Sequence, residues 1–289
     1  MAVKVDISKN DVLRVIYEFK KSHNFDFANY AEMSFKRRIE HLLVSHNLSG
    51  VEELLRKIRE DEQYFQRCVN DITVNTTELF RDVDVWVNLR RNVLNLFKDK
   101  TNINIWHAGC SSGEEVYSML ILLNELNLLD KAKVFATDIN TDILYKARNG
   151  IFNKRLHHAY FDNFDKVIKV NPLNFEETID VPYSKYFEED ELNKTFRVKK
   201  YFRDKATFKY HNLTEGSIFY KFDLIFCRNV IIYFNTELQN RVISLFHESL
   251  FNDGMLLIGA HENITYLPVG SKFDPRIMKG LYFKKNNPH

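Results

Sequence analysis

Between Ser8 and about Asn70, apolar residues recur at intervals of three and four, which is the period of an amphipathic helix. Ser49 is suited to be the N-cap of the segment VEELLRKIRE, and Asp61 falls at an interruption of the pattern. We therefore expect three or four short helices, packed as a small all-α domain at residues 1–74. The apolar stripes behind this prediction are Val12, Val15, Ile16 and Phe19, followed by Ile39, Leu42 and Leu43.

From about residue 75 onwards, the helical pattern gives way to alternating strand and helix patterns. Beyond Asp99 the chain runs through a strand NINIWHA, a glycine turn GCSSG, a helix EEVYSMLILLNELNLL and a strand KVFATDI. This order is a βαβ unit, and it predicts a parallel sheet with covering helices. Residues 75–289 are therefore expected to form an α/β domain of Rossmann-like type.

A different pattern interrupts this second domain. From Thr178 to about Tyr210, short alternating segments such as KTFRVKKYF and ATFKYHN predict antiparallel strands. We expect a small antiparallel β subdomain, inserted at about 178–206. The strand FDLIFC, the helix ELQNRVISLFHESL and the strand GMLLIGA then continue the α/β pattern.

Composition and charge exclude several classes of function. The 41 Lys and Arg residues balance 39 Asp and Glu residues, so a net charge of +2 gives no general reason to expect nucleic acid as a partner. No apolar run approaches the roughly 20 residues that span a bilayer, and the N-terminus lacks the apolar segment of a secretory signal. The three cysteines are widely spaced, which favours neither a disulfide framework nor a metal site. We expect a cytoplasmic protein that does not insert into membranes.

The turn after the first strand, His107 to Glu115, is the first candidate for a ligand site. Gly109 and Gly113 would allow a ligand to approach the backbone closely. The spacing is not G-x-G-x-x-G, and Glu114 and Glu115 at the helix start would repel a pyrophosphate. A cationic ligand is therefore favoured, and a tight βα turn without a ligand is the alternative.

Two further strand ends carry polar residues. Asp138 ends the strand KVFATDI, where an acid can accept hydrogen bonds from ribose hydroxyls, although it could instead cap the next helix. Arg228, Asn229 and Tyr233 follow the apolar strand FDLIFC, and ligands of open α/β sheets bind outside the carboxyl ends of the strands. Alternatively, Arg228 is a surface ion-pair residue and Tyr233 a core aromatic.

Taken together, five segments resemble the CheR-type chemotaxis receptor methyltransferases, and the resemblance covers nearly the whole chain. Val116 stands where a proline is usual in that family, and His107 stands where a small residue is common. Neither departure removes a polar contact. The segments are N-T-T-E-L-F-R-D (75–82), H-A-G-C-S-S-G-E-E-V-Y-S (107–118), A-T-D-I-N (136–140), H-N-L (211–213) and C-R-N-V-I-I-Y-F (227–234).

The resemblance implies an S-adenosylmethionine-dependent methyltransferase domain, preceded by the all-α domain. Its substrates would be glutamate side chains in the cytoplasmic helices of methyl-accepting chemoreceptors, and its products glutamyl methyl esters and S-adenosylhomocysteine. The resemblance further implies that Arg81 and Tyr233 lie beside the sulfonium methyl group, and it implies no metal. The residues expected to bind the cofactor are Asn75, Thr77, Arg81, Gly109, Glu115, Asp138, Asn212, Leu213, Arg228 and Asn229.

A basic helix face is the candidate for receptor docking. Lys36, Arg37 and Arg38 lie beside an apolar stripe, and a basic face could hold an acidic receptor helix, although a solvated helix face explains the pattern as well. In some members of the family the β subdomain grips a tethering peptide at the receptor C-terminus, and the sequence leaves open whether it does so here. We expect a monomer.

Three other functions remain as alternatives. A methyltransferase of the same fold could act in a signalling system other than chemotaxis, because fold does not determine substrate. A non-catalytic module could bind S-adenosylmethionine or S-adenosylhomocysteine as a sensor. An NAD-dependent oxidoreductase is disfavoured by the missing G-x-G-x-x-G sequence.

Overall fold

A computed structural model describes residues 6–73, 77–154, 157–171, 174 and 177–285. The chain divides into two compact units, of which the first comprises Met1–Val74 and Val230–Val242 and the second comprises Asn75–Asn229 and Ile243–His289. The α-helices are α1 (Lys9–His23), α2 (Glu32–Ser45), α3 (Val51–Glu60), α4 (Glu62–Ile72), α5 (Val83–Asn88), α6 (Glu114–Glu125), α7 (Thr141–Asn149), α8 (His157–Phe164), α9 (Lys200–Arg203) and α10 (Thr236–Ser249). The strands are β1 (Ile103–Ala108), β2 (Ala132–Asp138), β3 (Ile151–Asn153), β4 (Phe187–Asp190), β5 (Thr195–Val198), β6 (Ala206–Tyr210), β7 (Phe222–Cys227), β8 (Leu250–Ile258), β9 (Phe273–Pro275) and β10 (Leu281–Lys284).

The first unit contains α1 to α4, where the helical periodicity predicts helices. A capping box between Ser8 and Asp11 begins α1, and the Asp61 side chain accepts the Tyr64 N–H at the start of α4. The predicted N-cap of α3 was wrong by one residue. Gly50 occupies that position, and the backbone N–H and hydroxyl of Ser49 donate to the Glu53 carboxylate instead.

A distant segment of the chain completes the first unit. The N–H of Ala31 donates to the carbonyl of Tyr233 at 2.8 Å, and the N–H of Asn235 donates to the carbonyl of Asn29 at 2.9 Å. The rings of Tyr30 and Phe234 pack edge to face, with centroids 5.4 Å apart. The motif C-R-N-V-I-I-Y-F therefore ends in the first unit, whereas the sequence pattern assigns all of it to the α/β domain.

The second unit is built on a seven-stranded sheet in the order β6-β2-β1-β7-β8-β10-β9. The strands from β6 to β8 pair in parallel, while β10 pairs antiparallel with both β8 and β9. Every residue of β1 and β7 is buried, as expected of central strands covered on both faces. The prediction of an α/β domain with a parallel sheet is confirmed. This topology brings the carboxyl ends of β1, β2 and β7 to one edge of the sheet.

The small antiparallel sheet has the order β3-β5-β4. It includes Ile151–Asn153, which lies outside the predicted insertion at about 178–206. The prediction that ATFKYHN forms an antiparallel strand was wrong, because β6 pairs in parallel with β2 at the edge of the large sheet. An edge strand with one half-solvated face shows the same alternation as a hairpin strand, so periodicity alone cannot separate the two.

Some features are absent from the described part of the chain. No helix there is both long and apolar enough to cross a membrane. The same residues contain no cluster of three or more His, Cys, Asp or Glu side chains arranged to hold a metal ion. The three cysteines are buried free thiols.

We expect the protein to lose stability as the pH falls from about 6.5 to about 4. Burial, together with the charges of Lys284, Lys272 and Lys221, lowers the pKa of His247 in α10 from 6.5 to about 4. Between these values the unfolded chain binds a proton that the folded chain does not, so acid favours unfolding. His247→Gln should reduce this loss by about 1 to 2 kcal/mol, because solvent partly screens the charge of a half-buried histidine.

The free energy of unfolding in urea, measured at several pH values, tests this expectation. The matched control is His41→Gln, which removes an exposed histidine from α2. An equal pH dependence in the wild type and in His247→Gln would contradict the prediction.

Candidate functional site

The turn after β1 is folded back onto the end of β2. Gly109 and Gly113 have φ angles of 78° and 93°, and Ser111 between them has a φ of 50°, so the turn uses the left-handed region repeatedly. The N–H groups of Gly109 and Cys110 both donate to the carbonyl of Thr137, at 2.8 and 2.9 Å. The glycine turn therefore lies at the carboxyl ends of both strands, where ligands of such sheets bind.

Asp138 is a buried carboxylate at the end of β2. It accepts hydrogen bonds from the backbone N–H groups of Ser111 at 2.9 Å and Asn140 at 3.0 Å. Burial raises the pKa of Asp138, and these backbone donors oppose the shift. The Asn140 side chain caps α7 by accepting the Ile143 N–H, so Asp138 is not that helix's N-cap. Each carboxylate oxygen of Asp138 keeps acceptor capacity for further donors, such as ribose hydroxyls.

Glu115, in the first turn of α6, is held by two donors. Nδ1 of His107 lies 2.8 Å from its Oε1, and Nη1 of Arg228 lies 3.1 Å from its Oε2. Burial alone would raise the pKa of Glu115, but the His107 hydrogen bond and the Arg228 charge outweigh it and hold the pKa below its usual value. Glu115 is therefore a fixed, ionised carboxylate at the strand ends.

Arg228, which follows β7, connects Glu115 to the loop before α5. Its Nη2 donates to the carbonyl of Arg81 at 3.0 Å and to the carboxylate of Asp82 at 2.6 Å. The Arg228 side chain is only 2% exposed, and its Nε has no hydrogen-bond partner among the described residues. The sequence alternative of a surface ion-pair residue was therefore wrong.

The backbone on both sides of Arg81 is strained. Phe80 and Asp82 have φ angles of 52° and 60°, a region that a bulky residue such as phenylalanine rarely adopts. The Phe80 N–H donates to the Ser118 hydroxyl at 2.8 Å, and the Trp86 indole N–H donates to the Arg81 carbonyl at 3.0 Å. The turn is thus held rigidly, while the Arg81 side chain is half-exposed.

The neighbouring glutamate, Glu114, has a different environment from Glu115. It is buried, and it accepts hydrogen bonds from the hydroxyls of Ser112 at 2.6 Å and Tyr160 at 3.0 Å. Burial raises the pKa of Glu114. The two adjacent glutamates therefore separate into a structural carboxylate, Glu114, and a candidate ligand-binding carboxylate, Glu115.

The segment H-N-L lies beside the end of β2. The His211 N–H donates to the Asp138 carbonyl at 3.1 Å. The Asn212 side-chain oxygen accepts both the N–H and the hydroxyl of Thr214, and Leu213 is buried. The Asn212 oxygen therefore stabilises the conformation of its own loop, a local role that the motif did not predict.

The remaining predicted residues are spread over both units. The Tyr160 hydroxyl donates to the backbone carbonyl of Thr77 at 3.4 Å. Asn75 lies outside the described residues. Asn229, with a φ of 60°, donates its N–H to the Glu262 carboxylate at 2.9 Å. Tyr233 is half-buried and belongs to the first unit.

The predicted basic face of α2 is smaller than the sequence suggests. Lys36 is ion-paired with Asp6 at 2.6 Å and lies 3.7 Å from the Glu40 carboxylate, so its charge is compensated within the unit. Arg37 is exposed and Arg38 is half-exposed. The apolar stripe of α2 is buried, as its period predicts: Phe35, Ile39, Leu42 and Leu43.

The donor and acceptor groups at the strand ends indicate the kind of ligand that fits. The carboxylates of Glu115 and Asp138 are suited to an ammonium group and to sugar hydroxyls, and they would repel phosphate. Gly109 is partly exposed and leaves the backbone of the turn accessible. The same expectation for Gly113 was wrong, because Gly113 is buried against Ala147 and Tyr117. This set of groups fits a cationic nucleoside such as S-adenosylmethionine.

Comparisons with known proteins give matches over nearly the whole chain. The chain matches a family model described as the CheR methyltransferase, SAM binding domain over residues 75–165 and 172–274, and one described as the CheR methyltransferase, all-alpha domain over residues 13–73. The methyltransferase Cher3 of Pseudomonas putida is 34% identical, and the match covers 97% of each chain. A chemotaxis protein methyltransferase of Borreliella burgdorferi is 29% identical over 98% of this chain and 97% of its own. Chemotaxis protein methyltransferase 1 of Vibrio cholerae is 31% identical over 86% of this chain and 87% of its own.

Removing the Arg228 guanidinium should cost roughly 3 kcal/mol of stability, because it leaves Glu115 and Asp82 without their shared cation. The test is urea unfolding of Arg228→Met, which retains most of the apolar volume. Arg276→Met is the matched control, since Arg276 pairs with Asp274 on the exposed surface, where an ion pair contributes less than about 1 kcal/mol. Equal losses in the two variants would show that the buried network is not stabilising.

Proposed function

Since the chain belongs to the CheR methyltransferase family, which is S-adenosylmethionine-dependent, we propose that it methylates glutamate side chains of methyl-accepting chemoreceptors. The products are glutamyl methyl esters and S-adenosylhomocysteine. The observation that supports the proposal most strongly is the pair of carboxylates formed by Glu115 at the start of α6 and the buried Asp138 at the end of β2, in a chain that resembles chemotaxis methyltransferases over nearly its full length.

In this proposal each carboxylate holds one end of the cofactor. Glu115 accepts the cationic amino group, and Asp138 accepts the ribose hydroxyls, while Gly109 allows the ligand to pass close to the backbone. The other residues proposed to line the pocket are Asn75, Thr77, Asn212, Leu213, Arg228 and Asn229. For Arg228 the role is indirect in part, since its described hydrogen bonds go to Glu115, Arg81 and Asp82.

The reaction needs no general base, because a glutamate side chain with an ordinary pKa near 4.3 is already ionised at neutral pH. S-adenosylmethionine supplies the methyl group from its sulfonium, and the electron pair of the broken C–S bond stays on sulfur. The residues of the protein have to orient the acceptor carboxylate and exclude water. Orientation alone contributes about 7 to 11 kcal/mol in well-aligned intramolecular reactions.

Arg81 is the proposed clamp for the acceptor. A guanidinium grips a carboxylate through two parallel hydrogen bonds, and the Arg81 backbone is fixed by Arg228 and Trp86. A full ion pair would weaken the nucleophile, so Arg81 positions the carboxylate while the Tyr233 hydroxyl orients it or packs against the methyl group.

The all-α domain at 1–74 is the proposed docking surface for the receptor. Receptor methylation helices of such systems are acidic, and Arg37 and Arg38 offer positive charge to them. Lys36 contributes less, because its charge is compensated by Asp6 and Glu40. The cytoplasmic helices of chemoreceptors are accordingly the proposed partners.

The first test of the proposal is cofactor binding. Asp138→Asn removes the charge and one acceptor oxygen, and it should weaken S-adenosylhomocysteine binding by about 10- to 100-fold in calorimetric titration. Asp130→Asn is the matched control, because Asp130 is an exposed partner of Lys205. Unchanged affinity in Asp138→Asn would overturn the assignment of the ribose contact.

The second test is transfer of a labelled methyl group to a purified chemoreceptor cytoplasmic fragment. We expect Arg81→Ala and Tyr233→Phe each to lower kcat by about tenfold or more, because both orient the acceptor, with S-adenosylhomocysteine affinity changed much less. Release of the label as methanol in base identifies a methyl ester.

Controls for this test use the acceptor and a distant arginine. Replacing receptor glutamates with glutamine should abolish labelling, and Arg276→Ala should leave it unchanged. Cofactor binding without any methyl transfer would instead indicate a non-catalytic binding module. Near-normal turnover in both Arg81→Ala and Tyr233→Phe would contradict the catalytic assignment.

A further inference from the structure

A fully buried histidine lies directly behind the carboxylate proposed to hold the amino group of the cofactor. The His107 ring stacks on the ring of Phe226, with centroids 4.5 Å apart and planes inclined by 21°. Its Nδ1 is 2.8 Å from Oε1 of Glu115. Because His107 lies on β1 and Phe226 on β7, the two central strands of the sheet fix the direction of this hydrogen bond.

The two nitrogens of the His107 ring have different surroundings. Glu115 is ionised and can only accept, so the hydrogen of the shared bond belongs to Nδ1. Nε2 is buried and has no hydrogen-bond partner among the described residues. A buried N–H without a partner would be costly, which favours the tautomer with a bare Nε2. His107 is thus arranged as a dedicated donor to Glu115.

Both oxygens of Glu115 are therefore oriented before any ligand arrives. His107 fixes Oε1 from the strand β1, and Arg228 fixes Oε2 from the end of β7. A carboxylate has about four acceptor positions, so two remain for a further donor. A side chain that is already oriented loses less conformational entropy when it binds a ligand.

We propose that His107 is a positioning residue that directs Glu115 at the α-amino group of S-adenosylmethionine. The inference rests on the proposed role of Glu115, and it extends that role to a residue that does not touch the ligand. It follows that His107 should affect only ligands that carry the amino acid portion. The nucleoside portion, which Asp138 is proposed to hold, should be bound equally well without it.

The experiment compares two probes by calorimetric titration of the full chain. S-adenosylhomocysteine carries the α-amino group, and methylthioadenosine has the same nucleoside without it. In His107→Leu, S-adenosylhomocysteine should bind about tenfold more weakly, because Glu115 loses a charge-assisted hydrogen bond. Methylthioadenosine should bind with unchanged affinity, which also establishes that the variant is folded.

His107→Asn is the conservative variant, because the asparagine amide can donate from nearly the position of Nδ1. It should restore S-adenosylhomocysteine affinity to within about threefold of the wild type, since the hydrogen bond to Glu115 is kept. If both probes bind more weakly by the same factor in His107→Leu, or if neither affinity changes, the proposal is wrong.

Glu115→Gln separates this proposal from the proposed function beneath it. If Glu115→Gln weakens only S-adenosylhomocysteine while His107→Leu does not, the amino-group contact stands and only the role of His107 fails. If Glu115→Gln changes neither the affinity nor the preference between the probes, the assignment of Glu115 itself fails, and the role of His107 fails with it.

Discussion

The arrangement of the site depends on one buried cation that has to be neutralised. A guanidinium at the end of a central strand cannot remain unpaired in a medium of low dielectric constant, so its partners are drawn to it. Arg228 gathers the Glu115 carboxylate, the Asp82 carboxylate and the Arg81 carbonyl around itself. Three segments far apart in the sequence are thereby fixed relative to one another, which is what an oriented reaction requires.

The periodicity of the sequence predicts most of the fold, and the order of its motifs predicts most residues of the candidate site. The strand INIWHA and the helix beginning at Glu114 could be predicted, because the spacing of the apolar residues and the positions of the glycines indicate the same boundaries. The parallel pairing of β6 could not, because edge strands of both kinds alternate alike. Periodicity also could not distinguish Glu114 from Glu115, which only the family resemblance separated, because the distinction depends on which one Arg228 reaches.

The long-range features escaped prediction for the same reason. The pairing of Lys36 with Asp6 depends on the fold around α2, not on the helix that carries the basic residues. His107 was noted only as a departure from a family pattern, and its hydrogen bond to Glu115 becomes evident when β1 and α6 are in place. Local patterns therefore identify elements and motifs, whereas the partners of buried polar groups follow from tertiary structure.

The backbone hydrogen bonds from Ala31 and Asn235 that join residues 29–31 to residues 233–235 bear on how such chains can be recombined. A chimera made with a single junction near residue 74 would separate the all-α domain from a segment to which it is hydrogen-bonded. The first compact unit is discontinuous in the sequence, because it includes Val230–Val242. Exchange of the whole first unit between relatives would accordingly require three crossovers in the gene: one near residue 74, one near residue 230 inside the motif C-R-N-V-I-I-Y-F, and one near residue 242 within α10.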